Sequence, residues 1–157
     1  MSTRVVESWL QEPLQQFVED ARATLALLLL PSGQVLAEHG FSRSLDVASA
    51  CALAAAIHAS GGELGRMLDG RGFTGLHHAG QDRQIFLAEA RTPRATYIFL
   101  TVFDSESSLG LVRLYFDEFV ARLAAAAPEG EAAAEPVLAE HFERDLNRNL
   151  AALFGRA

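Results

Sequence analysis

GRGFTG, Gly70 to Gly75, is the stretch on which the fold turns. It spells G-x-G-x-x-G, the pattern of a loop that cradles a dinucleotide pyrophosphate. Such a loop works between a strand and a following helix, because the helix N-terminus holds the phosphate. Here the flanks are reversed. SLDVASACALAAAIHASGGELGRML, Ser44 to Leu68, comes first and is dominated by strong helix formers. FTGLHHAG, residues 73 to 80, comes after and reads as a strand. The glycines are therefore a helix C-cap and a turn, and dinucleotide binding is rejected.

Upstream of the long helix, for which Ser44 is the expected N-cap, lie two strand candidates. TLALLLL, residues 24 to 30, is apolar on both faces, as a central strand is. The turn Pro31-Ser32-Gly33 returns it as QVLAEHG, residues 34 to 40. Residues 4 to 22 place Val6, Leu10, Leu14, Phe17, Val18 and Ala21 near helical spacing, with Pro13 marking a break or a helix start. Gly61-Gly62, each costing about 1 kcal/mol inside a helix, predict a kink or a close backbone approach.

Downstream, RQIFLAEA (83 to 90) and ATYIFLTVF (95 to 103) add two more strands. Ser107 or Ser108 then caps a helix whose stripe is Val112, Phe116, Phe119, Val120 and Leu123. PEGEAAAEP, residues 128 to 136, reads as a linker, and Leu138, Phe142, Leu146, Leu150 and Phe154 recur every fourth residue after it. The expected domains are 1–127, a linker at 128–136 and an amphipathic helix at 137–157. The order α-β-β-α-β-β-β-α predicts an α+β fold with an antiparallel five-stranded sheet sandwiched by helices.

The chain has 157 residues and a formal charge of −7, which argues against nucleic-acid binding. All 13 basic residues are arginine, removing P-loop NTPases and lysine Schiff-base chemistry. The single cysteine, Cys51, permits neither an internal disulfide nor a multi-cysteine zinc site. It reads as a small buried residue. His77 and His78 fall on opposite faces of a strand and cannot share a metal, and His39 and His58 have no sequence-near ligand partner. No cofactor, metal site or catalytic constellation is expected. The N-terminus lacks a signal-peptide h-region and no apolar run reaches the length of a membrane span, so a cytoplasmic protein is the expectation.

The order of elements resembles the Roadblock (dynein light chain) family. The likeness sharpens at VFDSESSLGLVRL, Val102 to Leu114, where a strand ends in F-D and S-L-G-L-V-R-L opens the last core helix. LLLLPSGQVL and HHAG also fit, and so does the C-terminal amphipathic stretch. Within the family the chain is similar to the MglB-like regulators of the bacterial Ras-like GTPase MglA.

That resemblance implies a homodimer, with long helices side by side and edge strands joined into one sheet. It implies that Cys51, His58, Gly62, Leu76, His77 and His78 contribute to the dimer contact. The paired helices would form a platform for a small Ras-like GTPase, at Ala52, Ala55, Ala56, Ala59, Glu63 and Arg66. Small residues are expected on that face so that a switch region can approach closely. Glu63 departs from this, and either meets an arginine on the GTPase or obstructs docking. MglB-like partners accelerate hydrolysis by rearranging the GTPase's own catalytic residues, without an arginine finger, and act in cell polarity and gliding motility, including at a cell pole. The C-terminal stripe either rests on the domain's own sheet or reaches a groove on the partner. Arg71, Arg83 and Arg94, near turns, are the residues that a finger would use; solvated loop charge is the simpler reading. Two alternatives stand beside activation: a non-activating Roadblock scaffold that recruits a GTPase or another Roadblock protein, and a small-ligand sensor of the same α+β shape.

Overall fold

The computed structural model describes residues 2–5, 7–41, 45–73 and 75–128, together with Arg148. The chain divides into two compact units, Met1–Ala127 and Pro128–Ala157. Among the described residues, the strands and α-helices named here lie in the first. Leu138, Phe142, Leu146, Leu150 and Phe154 lie outside the described residues, as does most of the expected linker.

A strand β1 (Ser2–Val5) and a single 3-10 turn (Ser8–Leu10) lead into α1 (Gln11–Ala21). Then come β2 (Leu25–Leu29), β3 (Val35–Gly40), α2 (Val47–Asp69), β4 (Gly75–Ala79), β5 (Gln84–Arg91), β6 (Thr96–Phe103) and α3 (Leu109–Ala126). The sheet order is β1-β3-β2-β6-β5-β4, with every neighbouring pair antiparallel. The five expected strands and their α+β arrangement are there. β1 adds a sixth strand, a correction to the reading of residues 4 and 5 as helical. Its backbone pairs with β3 in the register Ser2↔Gly40 to Val5↔Ala37. Such pairing with a strand more than 30 residues away is invisible to helical periodicity. Pro13 sits in the first turn of α1, where a missing N–H costs nothing.

β2 shows why TLALLLL is apolar throughout. It lies between β3 and β6 and is buried along its whole length. Ala26 and Leu28 face one core with Phe17, Phe99, Phe103, Phe116 and Phe119, beneath α1 and α3. Leu25, Leu27 and Leu29 face the other, with Cys51 and Ala54 of α2. In the first core the Phe17 and Phe99 rings meet edge to face, 4.7 Å between centroids, an arrangement worth about 0.5–1.5 kcal/mol beyond the area buried. Arg122 ties α3 to α1 through Asp20 at 3.5 Å.

Helix ends follow capping chemistry. The Leu111 N–H donates to Ser108 Oγ at 3.2 Å, so Ser108 is the cap, while the Ser107 hydroxyl donates to the Ala21 carbonyl. α2 is capped by Asp46 rather than Ser44: Ser49 donates its N–H to Oδ1 at 3.3 Å and its hydroxyl to Oδ2 at 2.7 Å. These bonds favour the ionised carboxyl and hold the Asp46 pKa below its ordinary value, the hydroxyl contributing most. At the far end Gly70 has φ +69 and its N–H reaches the Arg66 carbonyl at 2.9 Å. GRGFTG is thus the C-cap of α2 and the approach to β4.

Candidate functional site

α2 runs for 23 residues, yet only Cys51, Ala54 and Gly65 are buried. An 18-residue window within it has a mean hydropathy of 1.2, so the helix is long and apolar enough to cross a membrane by length and composition, a correction to the expectation from uninterrupted apolar runs. In the structure it lies on the sheet, joined at one end to β3 and at the other to β4. Its apolar surface therefore faces sideways and outwards.

Successive residues turn by about 100°, which sorts α2 into three faces. Cys51, Ala54, His58 and Gly65 point towards the sheet. Leu53, Ile57, Leu64 and Leu68 fall within about 60° of one another on one flank, and they are 64%, 47%, 50% and 70% exposed. Ala52, Ala55, Ala56, Ala59, Glu63 and Arg66 fall within about 100° on the other flank.

At the free edge strand, one cleft of about 150 Å³ is bordered by Leu76, by Ile57 of the apolar flank and by Ala59 and Arg66 of the other, with His58 and Glu89 beneath. Leu76 stands opposite Leu87, a residue of the core beneath α2, so Leu76 and His78 share the α2 side of the sheet with Ile85. β4 is the terminal strand of the order, and His77, His78 and Ala79 are exposed. His77 instead faces the α3 side, 6.1 Å from the Phe103 ring, with Nε2 2.7 Å from Gln84 Oε1.

The small-residue flank lies beside the β2–β3 turn. A Cβ on Gly33 (φ +92) would stand 3.7 Å from Ala55 Cβ and 3.5 Å from Ala52 Cα. Ala55 is half-buried there, while Ala52, Ala56 and Ala59 are exposed. Beyond them Glu63 Oε2 accepts from Arg66 Nη2 at 2.6 Å and from Nε at 3.2 Å. The carboxylate left open by the sequence thus has an intrahelical counter-ion.

Two of the residues expected at the dimer contact turn inwards. Cys51 has no exposed surface and packs in its own core. Burial pushes its thiol up to about 11, with the charge of Glu38 adding to the effect. His58 is half-buried and engages Glu89 of its own chain, Nε2 to Oε1 at 2.8 Å. Gly62 is half-buried with open space where a Cβ would stand. The close approaches are at Gly61, where a Cβ would come 3.0 Å from the Phe73 ring, and Gly65, 2.8 Å from the Arg71 carbonyl oxygen. α2 runs through them without a break.

The sequence reading missed Leu53, Ile57, Leu64 and Leu68. Their spacing of 4, 7 and 4 residues was a signal, but in a helix this apolar it does not say which side meets the sheet. Among the described residues no cluster of three or more His, Cys, Asp or Glu could hold a metal ion.

No protein-family model matches the sequence, and no curated protein does. Solved structures do. The gliding protein MglB from Thermus thermophilus is similar at a TM-score of 0.69 and 25% identity, over 80% of this chain and 96% of that one. Myxococcus xanthus MglB gives 0.68 and 23%, over 76% and 95%. A Roadblock/LC7 domain from Streptomyces avermitilis gives 0.64 and 18%, over 76% and 95%. With α2 laid across one face of an antiparallel sheet and two helices on the other, this chain has a Roadblock fold of the MglB type.

Proposed function

We propose that the chain is a homodimeric regulator of a small Ras-like GTPase of the MglA kind, accelerating hydrolysis by rearranging the GTPase's own catalytic residues. The observation that carries this reading is α2: a helix with an exposed flank of leucine and isoleucine and another on which Ala52, Ala56 and Ala59 are exposed. Exposed apolar side chains grouped in this way mark a contact surface. The apolar flank, with Leu76 and the free edge of β4, is the self-complementary half that a two-fold dimer needs. Two alanine flanks brought side by side then make the platform. A bare helical surface lets a switch segment approach closely, and a platform that fits the hydrolysing conformation shifts the GTPase towards it.

The chain supplies no finger in this mechanism. Arg94 is half-buried with Nη1 closed off from solvent, poorly placed to reach outwards. Residues 137–157 add a second contact with the GTPase, and the protein acts in the cytoplasm, gathering at a cell pole. The test is GTP turnover by an MglA-like GTPase with and without this protein, beside light-scattering mass. A dimer that raises turnover at least about tenfold supports the reading; a monomer, or unchanged turnover with no complex, overturns it.

A second reading has its own support. Glu63 and Arg66 add an ion pair to the flank that docking would cover. A scaffold that binds the GTPase without activating it would form the same complex and leave turnover unchanged.

A further inference from the structure

α3 lies on the opposite side of the sheet from α2, and its cover stops short of the β4–β5 margin. Phe116 packs on Phe86 of β5, 5.5 Å between ring centroids and edge to face. The ladder between β4 and β5 begins at Gly75↔Ala88. Between α3, this end of β5 and the connection from α2 to β4 runs a groove of about 800 Å³. Phe73, Phe86, Phe116 and Val120 supply its apolar lining.

Its rim is cationic on a chain whose formal charge is −7. Arg71 and Arg113 border the groove, both exposed, and no ion pair to either is found among the described residues. Arg91 also lines it but is spent on Glu89, Nη2 to Oε2 at 2.6 Å. Asp117 is the other carboxylate on the rim.

We propose that this groove docks an acidic amphipathic segment of a partner protein. Apolar side chains of the segment lie on the aromatic floor and its carboxylates meet Arg71 and Arg113. Arginines around an aromatic floor are the side chains that carry interface energy, and carboxylates fit the guanidinium fork. The open shape and apolar floor do not suit a small anion, which needs converging donors. Two arginines beside Asp117 make no continuous basic track, which a polyphosphate strand needs. The inference goes beyond the regulator reading, because a segment held beside α3 leaves α2 uncovered.

The test is fluorescence anisotropy on the full chain with a labelled synthetic helix of about 16 residues, leucine at every fourth position and glutamate between. Wild type is expected to bind, R71E/R113E to weaken binding at least about tenfold, and R71Q/R113Q to fall between. Raising salt from about 50 to 300 mM should weaken binding further, and R83Q in the β4–β5 turn, away from the groove, should leave it unchanged. The proposal is overturned if wild type fails to bind or if R71E/R113E binds as well. It is equally overturned if a lysine-for-glutamate peptide or an oligothymidylate of equal length binds as tightly.

Discussion

His58 Nε2 lies 2.8 Å from Glu89 Oε1, fastening the middle of α2 to β5. Both side chains are about one-fifth exposed, and Arg91 Nε holds the second oxygen of the same carboxylate at 2.6 Å. The bond spans 31 residues of sequence and fixes α2 on the sheet at the point where its apolar flank borders Leu76. His58→Ala should cost about 1 kcal/mol, read from urea unfolding. With Glu89→Gln the pair should show a coupling of at least about 0.5 kcal/mol in a double-mutant cycle. Strict additivity would mean that the contact contributes nothing to stability.

Two glycines three residues apart should respond with opposite sign. Gly62 has nothing within 4 Å of a Cβ, so Gly62→Ala should raise stability by up to about 1 kcal/mol through helix propensity. Gly65 presses on the backbone at Arg71 and Phe73, 2.8 and 3.1 Å from a Cβ. Gly65→Ala should lower stability by about 1–3 kcal/mol, because backbone must shift. Thermal melts of the two variants decide the matter; a shift of the same sign in both would contradict this packing.

The two flanks of α2 should separate genetically. Leu64→Glu, on the apolar flank, should halve the mass seen by light scattering. Ala59→Arg, on the small-residue flank, should leave mass intact and cut stimulation of the GTPase at least about tenfold, the effect of a bulky charge where close approach is needed. Both variants change exposed residues and should keep the fold. Loss of the dimer in Ala59→Arg would mean that the flanks have been assigned in reverse.

The thiol of Cys51 gives a pH-dependent readout. Its folded pKa is about 11 against an ordinary 9.0, so the folded state favours the neutral thiol. Its contribution to stability is complete below pH 9, declines as pH rises from 9 to 11, and is gone above. Native protein should therefore react with a thiol reagent at pH 8 at least about a hundredfold more slowly than protein in denaturant, because the buried group is both neutral and shielded. Cys51→Ala should reduce the alkaline loss; an unchanged profile would assign that loss to other groups.

Much of the architecture was legible because one rule at a time sufficed. Alternating or continuous apolar runs marked β2, β3, β5 and β6, the Ser107-Ser108 pair announced α3, and Gly70 announced the end of α2. What escaped needed a distant partner. β1 is a strand because β3 offers an edge, and four residues carry no period of their own. Asp46 rather than Ser44 caps α2, a shift of two positions within a polar stretch where both side chains could serve.

By itself the sequence determined the order and kind of the elements, since these follow from local periodicity, turn chemistry and side-chain volume. It also determined that α2 would be rich in alanine and leucine along its length. Only the tertiary structure decided which third of that helix meets the sheet. Helical spacing fixes angles between side chains but not the rotation of the helix about its axis. That rotation comes from Cys51 and Ala54 packing into the core with leucines of β2, β5 and β6, and from His58 reaching Glu89. Once it is set, leucines and alanines fall on opposite flanks, and a helix with one composition becomes two surfaces.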